Sequence, residues 1–167
     1  MLAAIDMKLL YFINKGLSCR ALDVLMPIMT FFGSGEFIFT LAVVIALVFR
    51  KKEKALGGLL TLAGLTVSYY VVTAIKDLVG KPRPFVSLTD INVFIAEKGF
   101  SFPSGHATIA FMAAFILSRY FKNTFWLFLI ASLIALSRVY LGVHYPVDVI
   151  AGSCIGLALG YGISKLV

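Results

Sequence analysis

The chain has 167 residues, 60% of them hydrophobic and only 14% charged, and its mean hydropathy is +0.98. One small water-soluble core cannot hide so much apolar side chain, which excludes an ordinary soluble domain and leaves an integral membrane protein. The formal charge of +7 invites a nucleic-acid partner, but that needs Lys and Arg clustered on a soluble face, which no stretch here supplies; no nucleic acid is expected, and the excess charge reads as topology signal and as contact with anionic lipid or phosphate.

The length accommodates one helical bundle and nothing more, so residues 1–167 are expected to form a single all-α membrane domain. Residues 5–17 (IDMKLLYFINKGL) mix apolar and charged side chains at helical spacing, which suits a helix lying in the membrane interface. They lack a small-residue cleavage site, so this segment is expected to be retained. Residues 22–49 form one apolar zone interrupted at Gly33-Ser34-Gly35-Glu36, either a broken helix or a short surface helix followed by a span. Residues 55–79 are apolar for long enough to cross a bilayer, and 105–118, 124–142 and 146–164 give three more candidates. The expectation is a bundle of five or six transmembrane helices with an interfacial N-terminal helix. Cys19 and Cys154 have no metal-ligand spacing and read as packing residues. Gly152, Gly156 and Gly160 recur every fourth residue, a pattern that lets helices approach closely, here within one monomer rather than across a dimer.

The loops set the orientation. Arg50, Lys51, Lys52 and Lys54 precede the long span, Arg119 and Lys122 separate the next two apolar runs, and Lys165 lies near the C-terminus. An excess of Lys and Arg marks cytoplasmic loops, so residues 80–104 and 142–146 are expected on the outer face. Both histidines, His106 and His144, then lie on that side, together with Lys76, Arg83, Ser104, Gly105, Arg138 and Asp148. Three permanent cations crowded at one edge of a small bundle repel one another unless an anion sits among them, and phosphate is the natural anion. Arg offers a fork of donors to phosphate oxygens, and Lys a compact charge. Ser104 is placed to cap the helix that follows, leaving backbone N–H groups to face the same anion, and Gly105 allows close backbone approach. Pro146 fits the first turn of the last helix, which puts His144 just outside it and Asp148 one turn inside. Asp148 is then suited to orient His144 for attack, and His106 to protonate the leaving oxygen. The segment 85–102 (FVSLTDINVFIAEKGFSF), rich in Phe, Val, Leu and Ile, is expected either to lie in the interface and border the substrate entrance or to form an ordinary packed loop.

Three strings carry a resemblance. Lys76 to Pro84 reads K-x6-R-P, Pro103-Ser104-Gly105-His106 reads P-S-G-H, and Ser137 to Asp148 reads S-R-x5-H-x3-D. In that order they resemble the three signature motifs of the type 2 phosphatidic acid phosphatase superfamily. The resemblance implies a metal-independent phosphatase with no cofactor, in which His144 forms a phosphohistidine, Asp148 orients it and His106 is the general acid. It further implies that Lys76, Arg83, Ser104, Gly105 and Arg138 hold the phosphate. No dedicated metal site is expected. The membrane spans set the chain apart from the family's soluble members and imply a phosphorylated membrane lipid as substrate. Its small size resembles bacterial envelope enzymes, which implies a multi-pass monomer in the inner membrane with its site facing the periplasm. A lipid A 1-phosphatase is the first expectation, with undecaprenyl pyrophosphate and phosphatidylglycerol phosphate as close alternatives. A non-catalytic binder of phosphorylated lipids is the alternative from another class, and it has no use for a nucleophile with an orienting acid.

Overall fold

The computed structural model describes residues 2–49 and 51–166, so Arg50, one of the cations used to orient the chain, lies outside the described residues. Apart from the outer connection 80–104, which holds a single helical turn, the long described segments are helical, as lipid demands of a backbone that has no water to bond to. Helix α1 (Leu2–Tyr11) runs on into a π-helical turn over Phe12–Gly16. Helices α2 (Arg20–Phe32) and α3 (Gly35–Val48) meet at a 54° bend, where Ser34 caps α3 by accepting from Phe37 N at 3.1 Å. The interruption in the first apolar zone is therefore a sharp break between two helices, as both readings of that zone expect. Then come α4 (Lys52–Val79), the single turn α5 (Pro84–Ser87), α6 (Gly105–Ser118), α7 (Thr124–Tyr140) and α8 (Pro146–Ile163).

Helix α6 is the core. Apolar on all sides, it buries Ala107, Ala110, Met112, Ala113, Ala114 and Ile116 against α4, α7 and α8. The glycine face of α8 presses directly on it: a Cβ at Gly152 would stand 2.5 Å from the Ser104 carbonyl oxygen, and one at Gly156 2.2 Å from that of Thr108. The every-fourth-residue pattern is thus used inside the chain. This contact also fixes the start of α8 beside the start of α6, where Ser104 N donates to the Asp148 carbonyl at 3.0 Å.

By length and hydropathy, the stretches Lys52–Ser87 and Pro146–Ile163 are long enough to cross a membrane, and α2 with α3 qualify together as one bent span. The apolar helices α6 and α7 are shorter, at 14 and 17 residues. The N-terminal segment does more than lie flat. Its outer face leaves Ile5, Leu9 and Phe12 exposed, but Leu10 is fully buried with Val139, Tyr145 and Val149. Asn14, also fully buried, donates to the carbonyls of Asn92 and Tyr140 at 2.8 and 2.7 Å and so ties this segment to the long outer connection. The two cysteines depart from expectation. Both are free and exposed on the isolated chain, because Cys19 lies in the turn before α2 and Cys154 on a face of α8 turned away from the core.

Candidate active site

Four helix ends meet at one end of the bundle: the last turn of α4, the first of α6, the last of α7 and the first of α8. Each brings its residues there for a local reason. Helix α4 ends at Gly80, and the chain continues through Lys81-Pro82 to Arg83, which caps α5. Between α7 and α8 the turn needs a left-handed residue at Gly142 (φ +76°), where a Cβ would meet the Asn92 carbonyl oxygen at 2.5 Å, so glycine fits for two reasons. Pro146 then starts α8, and the Asp148 carboxylate accepts from Tyr145 N at 2.9 Å, closing a capping box that sets the height of His144 above the helix.

His144 is only 1% exposed. Its Nε2 faces Arg83, 3.4 Å from Nη1, and its Nδ1 faces Ser101 Oγ at 3.5 Å and Asp148 Oδ2 at 3.8 Å. The hydrogen bond expected from His144 to the Asp148 carboxylate is long at 3.8 Å, and Ser101 Oγ lies closer to the same ring nitrogen. Ser101 donates to Asp148 Oδ2 at 2.5 Å and stands next to the ring, while Lys81 donates to Asp148 Oδ1 at 2.7 Å. With Ser101 Oγ donating to the carboxylate, it is left to accept from His144 Nδ1, which selects the tautomer whose Nε2 carries the lone pair, on the side of Arg83. Burial pushes the His144 imidazolium pKa down to about 4, outweighing the carboxylate of Asp148, so the ring is neutral at physiological pH.

The cations are arranged around an acid outside the three motifs. Glu97 bridges the two buried guanidinium groups: its Oε2 lies 3.1 Å from Arg83 Nη1, and its Oε1 pairs with Arg138 Nη2. Burial alone would raise the Glu97 pKa, but the charge and hydrogen bond of Arg138 prevail and hold it at about 2. Arg83 also donates to the carbonyls of Lys98, Gly99 and Val143, each at 3.1 Å, and Arg138 to Thr30 Oγ1. Arg138 Nε is buried without a partner among the described residues. Lys76 reaches the Phe100 carbonyl at 2.7 Å. Of the residues expected from sequence, Arg83, Arg138, His144 and Asp148 therefore form one continuous network, and Ser104 caps α6 by accepting from Ala107 N at 3.5 Å.

Lys76, Gly105 and His106 stand on the other side of this network, at the head of a cavity of about 580 Å³ between α3, α4 and α6. Its lower walls are apolar, with Phe39, Leu65, Val72 and Ile109. Segment 85–102 packs Phe85, Phe94 and Ile95 inward on Tyr140, Leu141 and Val143, leaves Val86, Val93 and Phe100 exposed, and its backbone carbonyls hold Arg83 and Lys76. The sequence reading missed Glu97, Ser101, Lys81 and Thr30. Only Glu97 carried a signal, as an acid in an otherwise apolar stretch on the face that holds the cations.

Residues 56–167 match the PAP2 superfamily. The fold is similar to the crystal structure of Aquifex aeolicus LpxE, with a TM-score of 0.86 and 32% identity over 96% of this chain and 95% of that one. It is also similar to the transmembrane PAP2-type phosphatidylglycerolphosphate phosphatase of Bacillus subtilis, with a TM-score of 0.81 and 26% identity over 99% of this chain and 85% of that one. In sequence it is 36% identical over 126 residues to the decaprenylphosphoryl-5-phosphoribose phosphatase of Mycobacterium tuberculosis, covering 75% of this chain and 68% of that protein. The first curated relatives are longer, and the chain spans 51 to 68% of their length. Motifs, fold and relatives agree, and the chain is a membrane protein that belongs to the PAP2 superfamily.

Proposed function

We propose that the protein is a metal-independent hydrolase of phosphorylated membrane lipids that works through a phosphohistidine at His144. The observation that carries this reading is the two-sided environment of that ring: Nδ1 faces Ser101 and Asp148, and Nε2 faces the arginine pair. In the reaction the substrate phosphate takes the place of the Glu97 carboxylate between Arg83 and Arg138, and Arg138 Nε supplies one more donor to a phosphate oxygen. Lys76 and the N–H groups at the start of α6, beside Ser104 and Gly105, complete the anion's surroundings.

His144 Nε2 then attacks phosphorus; a P–N bond forms as the P–O bond to the lipid breaks, and His106 gives its proton to the departing oxygen. In the second step His106 takes a proton from water, the water oxygen attacks phosphorus, the P–N bond breaks, and inorganic phosphate leaves. Asp148, held by Lys81 and Ser101, steadies the positive charge that develops on His144. The guanidinium and ammonium groups supply the charge neutralisation that a metal ion supplies in other phosphatases.

The apolar cavity below His106 suits the hydrocarbon chains of a lipid whose headgroup sits in the cation cradle. Among lipids, a lipid A phosphate of the 1-phosphatase kind is the first reading, supported by the near-complete overlap with LpxE. Phosphatidylglycerol phosphate and polyprenyl phosphates follow, supported by the names of the other relatives. The basic residues at the opposite end support a site on the outer face of the membrane, and the resemblance to bacterial envelope enzymes supports an inner-membrane location with that face toward the periplasm.

The test offers purified protein, in detergent with EDTA, lipid A, phosphatidylglycerol phosphate, undecaprenyl pyrophosphate and phosphatidic acid, and measures phosphate release. Release is expected from at least one lipid in EDTA and not from His144→Ala. Dependence on added metal, or equal release by the variant, overturns the mechanism. Binding without turnover by any lipid favours the non-catalytic alternative.

A further inference from the structure

At the opposite end of the bundle from His144, the start of α4, the turn after α6 and the start of α7 enclose a second cavity, of about 620 Å³. It is well separated from the catalytic end, since the 24 residues of α4 between Lys52 and Lys76 rise about 36 Å, more than the hydrocarbon thickness of a bilayer. Lys51, Lys54 and Lys122 line it, against the single acid Glu53. Among the described residues none of these lysines forms an ion pair. Lys54 is fixed rather than waving in solvent: its ammonium lies 4.8 Å from the ring centres of both Phe49 and Phe121, which meet edge to face. Asn123, at the start of α7, also lines the cavity, and its side chain makes no capping bond, so the first N–H groups of that helix remain available.

From this convergence we infer a second ligand site, which binds the phosphodiester headgroup of an anionic bilayer lipid on the membrane face opposite the catalytic centre. Free phosphate and a lipid headgroup share the chemistry that three lysines and a helix start recognise, and the walls decide between them. Phe121, Trp126 and Leu127 line the same cavity, and Phe125 and Trp126 are exposed beside it. A cationic rim on an apolar aromatic wall fits an amphiphile held at the interface, with its glycerol backbone beside the indole. The occupant is a structural lipid and no substrate, since no histidine lines this cavity.

The chain carries its own reporter, because Trp126 is its one tryptophan. Protein in phosphatidylcholine nanodiscs is doped at equal mole fraction with phosphatidylglycerol or phosphatidylcholine bearing brominated acyl chains, and quenching of Trp126 emission is measured. Brominated phosphatidylglycerol is expected to quench about twofold more than its zwitterionic counterpart, or better. The preference is expected to vanish in the triple variant Lys51→Ala, Lys54→Ala, Lys122→Ala, and to survive in a variant of equal charge change, Lys8→Ala, Arg20→Ala, Lys165→Ala. Lipid phosphatase activity, measured alongside, reports that each variant is folded; should the triple variant misfold, Lys54→Gln alone is expected to reduce the preference. Equal quenching by the two lipids, a preference kept without the three lysines, or one lost equally in the matched variant overturns the site. Saturable displacement of the brominated lipid by soluble glycerol phosphate overturns the choice of a lipid occupant.

Discussion

The two histidines stand in opposite surroundings a few residues from the same cations. His144 is buried, has a neighbour on each ring nitrogen, and sits on a turn locked by Gly142, Pro146 and the capping box of α8. His106 is partly exposed at the head of the α3–α4–α6 cavity, and its ring makes no hydrogen bond among the described residues. The contrast has a chemical sense. A nucleophile must present one lone pair in one tautomer, which needs partners on its far side, whereas a general acid must meet an oxygen that arrives with the substrate. The difference between them is built by tertiary packing and is the most direct thing to attack by mutation.

The largest effect is expected from His144→Ala. Removing the only nucleophile should lower phosphate release by about 10³-fold or more, with lipid and with p-nitrophenyl phosphate alike. His106→Ala should separate the two substrates. For a lipid alkoxide, which needs a proton to depart, the loss should be about 10²-fold to 10⁴-fold. Nitrophenolate leaves without one, so this variant should release a burst of nitrophenol and accumulate an acid-labile phosphoenzyme, because water then lacks its base. Equal losses on both substrates with no burst would falsify the division of roles.

How much of this was legible in the sequence depends on how far each residue's job is local. Lys76, Arg83, Ser104, Arg138, His144 and Asp148 were readable because helix ends and turns place them: Pro146 and the spacing to Asp148 are backbone facts, and so is the glycine face of α8 that draws α6 close. The break at Gly33-Ser34 was readable for the same reason. Glu97 and Ser101 were not, since each acts only after the outer connection has folded back over Arg83, a step driven by Phe85, Phe94 and Ile95 packing on Tyr140 and Val143. In sequence those apolar residues allow either a lipid-facing rim or a packed loop; in the fold Phe85, Phe94 and Ile95 are partly buried by a neighbour that no local pattern specifies, while Val86, Val93 and Phe100 of the same segment stay exposed.

Ser101 tests the coupling on the buried side. Ser101→Ala removes the hydroxyl between Asp148 and the ring, and a loss of about tenfold in kcat, with KM little changed, is expected for one hydrogen bond felt mainly in the transition state. The ring can be watched directly, because the chain has two histidines and His106→Asn leaves one. In that variant the imidazole resonances of His144 should report a neutral ring with its proton on Nδ1, titrating near pH 4 rather than near the ordinary value of about 6.5. The sign follows from burial: desolvation penalises the cation, so the ring stays neutral and able to attack until the pH falls through about 4. Titration near 6.5 would mean that the ring is wet, and the contrast with His106 would fail.

The smallest effect concerns the acid between the arginines. Burial alone would raise the Glu97 pKa, but the charge and hydrogen bond of Arg138 hold it at about 2, so it stays ionised until the pH falls through about 2, and no physiological pH change empties the cradle. An incoming phosphate must therefore displace a carboxylate that already satisfies both guanidinium groups. Glu97→Gln keeps the shape and removes the competing charge. It should tighten inhibition by inorganic phosphate by about threefold to tenfold, because one charge-assisted contact of about 1 kcal/mol no longer has to be given up. The arginines lose their neutralising partner in the same variant, so its thermal unfolding should move down in phosphate-free buffer and recover on adding phosphate. Weaker inhibition by phosphate in the variant would instead place Glu97 as part of the phosphate's own support, with the cradle closing around both anions, and the displacement reading would fall.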